Sequence, residues 1–253
     1  MNDQHISRNS SSPFVTYRNL SLLMVTLSLL LAALPVQAQS TFRSQIYTAY
    51  IGGDMNAWER ALKSMPAKVA DNEALYEYAL AHYGFIGYCL GIDQKDRARS
   101  VQDKTEELAG ELLNREPGDP RFHALRGAVY GFQMGFQKHL IPVVGPKSLK
   151  AINRALEISP SSPEALIESG NKDWYMPHVF GGSKERAIRD YEKAIRLMDR
   201  DLDFQKENWY YLNVHMILAG WYNERGLTSR ARGIYQKLLR IEPRFQWAQE
   251  LNR

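Results

Sequence analysis

Six histidines and 28 Asp and Glu residues are the groups in this 253-residue chain with the chemistry to hold a metal or move a proton. A zinc site with its general base needs two histidines four apart on one helix face, with a glutamate between them. His5, His82, His123, His139, His178 and His215 offer no such pair. Gly145-Pro146-Lys147-Ser148 ends like a phosphate-cradling loop, but the upstream glycine is missing and Pro146 removes a backbone donor the phosphate needs. It reads instead as a helix start. Ser169-Gly170 lacks the glycine that precedes the serine in a hydrolase nucleophile elbow. Glu106-Glu107 and the Asp199, Asp201, Asp203 set read as surface charges, because the glycine and bidentate glutamate of a calcium loop are absent. The residues assemble no catalytic constellation, metal site or cofactor site, and no enzyme is expected.

Binding chemistry is better represented. Trp174-Tyr175-Met176-Pro177-His178-Val179-Phe180-Gly181-Gly182 concentrates aromatics, a histidine and glycines in one irregular stretch. Two readings stand side by side: Trp174, Tyr175 and Phe180 pack a helix end while the glycines turn the chain, or they display a ligand-facing loop whose following helix start attracts an anion. A second irregular stretch, Leu140 to Pro146, is more apolar and suits a contact patch or a buried lid.

The elements that must carry these residues are helices. Four stretches close alike, at Pro117, Pro160, Asp199 and Pro243, about 43, 39 and 44 residues apart. Each has apolar residues at i, i+3, i+4 and i+7, then a helix breaker. These predict the second helices of hairpins, with first helices between the stops. Helices are expected at about Asn72 to Leu90, Asp96 to Arg115 and Trp209 to Arg225, with Thr228 as an N-cap and a terminal helix from Phe245 to Asn252. A weaker pair flanks Gly52-Gly53-Asp54. No β-branched alternation competes.

The last unit resembles a tetratricopeptide repeat. Ala219 and Tyr222 match the small residue and aromatic of the family's first helix, Ala231 and Tyr235 those of its second, and Pro243 the closing proline. Ala187, Tyr191 and Ala194 match the second helix of the preceding unit, where Gly170 stands as the first-helix glycine, and Gly127 takes that place one unit earlier. The resemblance implies an all-α, right-handed α-solenoid of about five stacked hairpins over residues 41–253, with some elongated units and a C-terminal capping helix. It also implies a concave groove lined by the first helices. Groove positions carried across are Asn213, Met216 and Asn223 in the last unit, Asn171 and Trp174 in the fourth and Arg121 in the third, with Tyr175 and His178 from the adjoining loop. Spaced amides suit an extended peptide backbone.

Composition sets the remaining bounds. At 44% hydrophobic and 24% charged, disordered and polytopic membrane classes are excluded, and a net charge of +4 with interleaved signs does not fit a nucleic-acid binder. Leu20 to Leu34 is apolar but shorter than the about 20 residues of a bilayer span. With Arg8 and Arg18 before it and Val36 and Ala38 after it, residues 1–38 read as a signal peptide cut after Ala38, a retained N-terminal anchor being the alternative. The lone Cys89 can form no disulfide within its own chain and is expected as a buried thiol. A periplasmic interaction module that binds a peptide or protein segment in its groove, within or beside an envelope complex, is the function expected. The alternative is a small-ligand-binding accessory subunit of an envelope transporter.

Overall fold

In the computed structural model the described residues are Phe42–Arg253, and their regular structure is entirely helical. The expected leader and its cut after Ala38 lie outside them. Helix α1 covers 42–51, followed by α2 (Met55–Lys63), α3 (Asn72–Gly91), α4 (Lys95–Arg115), α5 (Pro120–Phe136) and α6 (Ile141–Ile158). Then come α7 (Pro163–Tyr175), α8 (Lys184–Met198), the short α9 (Leu202–Gln205), α10 (Trp209–Glu224), α11 (Thr228–Ile241) and α12 (Gln246–Leu251). The pairs α1–α2, α3–α4, α5–α6, α7–α8 and α10–α11 are the five hairpins, and α12 closes the stack.

Local chemistry fixes the helix starts. Asp54, Asp71, Ser162, Ser183 and Asn208 each accept from a backbone N–H in the first turn, while Pro120 and Pro163 occupy first-turn positions where no amide is needed. Gly53 and Gly226 turn the chain after α1 and α10 with φ of 66° and 73°. Three local expectations are corrected. Helix α6 begins at Ile141 rather than after Pro146, because Pro142 starts it and the fixed φ of Pro146 is itself helical. Thr228 is the first helical residue, with Leu227 at the cap position and no side-chain cap bond. Asp201 nucleates α9, capping Phe204 N–H at 2.9 Å, where only a surface acid was expected.

Small residues set the spacing within hairpins. A Cβ on Gly127 would lie 2.6 Å from Ile152 Cγ1, and one on Gly170 2.7 Å from Tyr191 Cδ2, so both glycines are points of closest helix approach. Ala219 and Ala231 are buried in the last hairpin, and Tyr191 and Tyr235 fill the space beside the small residues. Cys89 is fully buried, and burial pushes its thiol pKa up.

The stack curls until its ends meet. The Tyr50 hydroxyl on α1 donates to Asn213 Oδ1 on α10 at 3.0 Å, and the Tyr47 hydroxyl donates to Glu242 at the end of α11 at 3.1 Å. Tyr50 also stands edge-on to Trp247 of α12, 4.9 Å between ring centres. Helix α10 buries Trp209, Tyr210, Leu212, Val214, Leu218, Trp221 and Tyr222, which surround its whole circumference, so it lies inside the molecule. Across the hollow, the Trp209 ring sits so close to Gly84 of α3 that a Cβ there would fall 2.4 Å from it. The core runs from Phe42 to Ala248 within this one unit.

Candidate functional site

The curled stack leaves a recess where the first helices begin. The starts of α1, α3, α5, α7 and α10 converge on a cleft of about 120 Å³. Phe42 and Ile46 of α1, Tyr76 and Leu80 of α3 and Trp209 of α10 form its apolar floor, and Phe204 of α9 overhangs it. Arg43, Glu73, Glu77, Arg121 and Glu164 make a charged rim.

The rim is pre-arranged by ion pairs. Arg121 reaches Glu73 with both terminal nitrogens, at 2.7 and 2.6 Å, and holds Asp119 at 2.6 Å. Its guanidinium carbon lies 5.1 Å from the Tyr76 ring centre, a cation–π contact that fixes the fork's plane. Arg43 pairs with Glu77 at 3.2 Å. Burial pushes the Glu77 and Glu164 carboxyls up, against the pull of Arg43 and of the Ser162 hydroxyl respectively. Glu164 accepts from that hydroxyl at 3.0 Å. Deeper in, the fully enclosed Glu168 accepts from Tyr83 and from Asn171, both at 3.1 Å, and burial lifts its pKa to about 7.

Of the eight residues expected to meet a partner, Arg121 alone lines the cleft. Four that were expected to be free in an open groove are engaged within the chain. Asn171 accepts from Tyr191 at 2.6 Å while donating to Glu168, Asn213 accepts from Tyr50, and Asn223 donates to the Tyr235 hydroxyl at 3.1 Å. Trp174 is buried, stacked on Trp221 at 4.3 Å and 7°. Met216 is half-buried against the core. These amides thus hold helices to one another. Tyr175, the last residue of α7, and His178 on the turn after it are exposed, as are Val179 and Phe180. In that stretch Trp174 is packed, while Tyr175 and Phe180 are exposed. The start of α8 below it is already served by Ser183, whose hydroxyl accepts from Arg186 N–H, so the chain itself occupies that anion position.

Two histidines have internal roles that their isolation in sequence concealed. His82 contacts the Tyr78 carbonyl and His215 the Tyr211 carbonyl, each 2.8 Å away and four residues back. Lys237 donates to Asp199 at 2.6 and 2.7 Å and to His215 Nε2 at 2.9 Å, and Tyr211 donates to Asp199 at 2.7 Å. Burial, followed by the Lys237 charge, pushes the His215 pKa down to about 4. Among the described residues no cluster of three His, Cys, Asp or Glu is placed to hold a metal, and no helix is long and apolar enough to cross a membrane. Sequence reasoning missed Tyr76, Glu164 and Trp209. Their one available signal was position, since each stands within the first turn or two of a first helix.

No family model and no curated protein matches the sequence. Among solved structures, a thermophilic TPR protein from Thermus thermophilus, TTC0263, is similar at 19% identity with a TM-score of 0.50, over 86% of this chain and 92% of that one. The HusA haemophore from Porphyromonas gingivalis is similar at 19% identity and a TM-score of 0.46, over 76% of this chain and 93% of that one. Five stacked hairpins, small residues at the close approaches and the likeness to TTC0263 give this chain a tetratricopeptide-like all-helical fold.

Proposed function

We propose that this chain is an exported, non-catalytic interaction module that grips a protein or peptide segment by one anchoring side chain in the cleft at the first-helix starts. The observation that carries this reading is the convergence of five helices on a recess with an apolar floor and a paired-charge rim. At about 120 Å³ the cleft is below the roughly 300–1,000 Å³ of small-molecule sites. It is close to the roughly 150 Å³ of an engineered cavity that admits benzene, the scale of one apolar side chain. That scale favours a peptide anchor over a free ligand. Arg43, Glu73, Glu77 and Arg121 stay partly solvated and would meet the polar backbone around the anchor, the usual arrangement of an apolar centre inside a polar rim. Export rests on the apolar leader Leu20 to Leu34 and the small residues at Val36 and Ala38.

A photo-reactive amino acid at Phe204, compared with one at the exposed Arg196 on α8, tests this in the intact envelope. A defined polypeptide adduct from position 204, absent from 196 and lost when Leu80→Lys blocks the floor, is expected. Equal adducts from both positions, or none from 204, would refute the cleft as the binding site.

A further inference from the structure

Half of the ten large apolar side chains left exposed among the described residues lie in two neighbouring turns. Ile141 and Val143, 48% and 60% exposed, stand at the α5–α6 turn, and Tyr175, Val179 and Phe180, at 75%, 82% and 75%, at the α7–α8 turn. Both turns join a first helix to a second. Helices α5 and α7 run side by side in the same sense, since their starts, Arg121 and Glu164, line the cleft together while Leu125 and Glu168, one turn further along each, border the next recess. The two turns therefore share one edge of the stack, opposite the edge that holds the cleft.

Charge around these two turns is one-sided. From Pro120 to Leu156 the sequence has no Asp or Glu, yet it holds six Lys and Arg residues. Arg121, Arg126 and Arg154 are answered by carboxylates from outside that stretch. Lys138, Lys147 and Lys150 make no ion pair among the described residues. The α7–α8 turn, from Trp174 to Lys184, likewise has no acid, and exposed His139 and His178 flank the apolar tips. The acids next to it, Glu185 and Glu224, are already paired with Arg225 and Lys184.

Apolar and aromatic tips projecting from turns, flanked by unpaired lysines and free of acids, are the chemistry of a protein that rests on an anionic bilayer surface. We infer that this edge docks on such a surface, Val143, Val179 and Phe180 entering the interface while Lys138 and Lys147 meet the headgroups. The opposite edge, with its cleft, then faces away from the lipid and stays open to a partner.

The test uses residues 39–253, which carry the whole core from Phe42 to Ala248. Flotation with vesicles of mixed phosphatidylglycerol and phosphatidylcholine should carry the protein, and vesicles of phosphatidylcholine alone should carry far less. Lys138→Ala with Lys147→Ala should weaken binding by about tenfold or more, since each lysine near an anionic surface contributes severalfold. Phe180→Ser should weaken it with an unchanged melt. A polarity-sensitive dye on Val179→Cys reports insertion directly, because Cys89 is fully buried, and its emission should shift to the blue on anionic vesicles only. No flotation on anionic vesicles, or lysine variants that bind like the parent, would overturn the inference. Concentration-dependent self-association abolished by Phe180→Ser, without vesicle binding, would assign the edge to a second copy instead.

Discussion

The Tyr83 hydroxyl donates to Glu168 at 3.1 Å, tying α3 to α7 across the hollow of the solenoid and skipping the hairpin between them. Next to it, the Trp209 ring of α10 is pressed on Gly84 of α3. The Glu168 carboxylate has exchanged water for two hydrogen bonds, so its acid form is favoured up to about pH 7.

That shift sets a pH signature. A carboxyl raised from 4.5 to about 7 binds protons in the folded state before the unfolded one, so its contribution to stability falls as pH rises through that window, by about 3 kcal/mol in all. His215 acts oppositely: its pKa is pushed from 6.5 to about 4, so folding loses stability as pH falls across that range. The two nearly offset each other in the wild type. Glu168→Gln should unmask the histidine, giving a melting temperature that drops steadily from about pH 6.5 to 4, whereas the wild type stays flatter; identical pH profiles for the two proteins would contradict this.

The closing latch is Tyr47 on Glu242. Arg244, through its hydrogen bonds and charge, together with the Tyr47 hydroxyl, holds Glu242 down at about 2. The contribution is therefore present above about pH 4.5 and lost as pH falls towards 2. Tyr47→Phe should cost about 2 kcal/mol, the scale of a hydrogen bond to a charged group. The loss should largely vanish in a Glu242→Ala background, which removes the acceptor, as urea unfolding in a double-mutant cycle would read.

Close packing makes Gly84 intolerant. Adding one methyl 2.4 Å from the buried Trp209 ring should destabilise Gly84→Ala by about 1–3 kcal/mol by overpacking. Gly131→Ala, which meets nothing within 4 Å, should stabilise through helix propensity. Thermal melts of the two variants moving in the same direction would refute this geometry.

Asn171 serves the fold. Its loss leaves Tyr191 and Glu168 each short of a buried partner, so Asn171→Ala should cost about 1–3 kcal/mol. The larger deletion Tyr191→Ala should cost about 3–5 kcal/mol by also opening a cavity. Denaturant titrations would measure both.

Much of this architecture was legible in the chain because it is local. Helix stripes, stop residues and the matched pairs Gly170 with Tyr191 and Ala219 with Ala231 are all read within one hairpin, and the observed helices α3, α4 and α10 end within about a residue of the expected limits. Closure was not legible. Tyr50 and Asn213 are 163 residues apart, and nothing in the periodicity of either helix names the other. A faint signal existed in α10, whose apolar residues run all round the helix rather than along one stripe, marking an element enclosed on every side. The cleft escaped notice for the same reason: it belongs to no single repeat and arises when five helix starts are drawn together.

Curling that brings the first hairpin onto the cap is the premise from which the cleft follows, and a distance measurement tests it most directly. Spin labels on the exposed Asn56 of α2 and Glu250 of α12 flank the contact in which a Cβ on Gly53 would lie 3.3 Å from the Trp247 ring. Each label sits three residues from that contact, so electron–electron double resonance should give a narrow distribution within about 30 Å. An uncurled stack of five hairpins spaced about 10 Å apart would put the labels beyond about 40 Å, and that result would contradict the account.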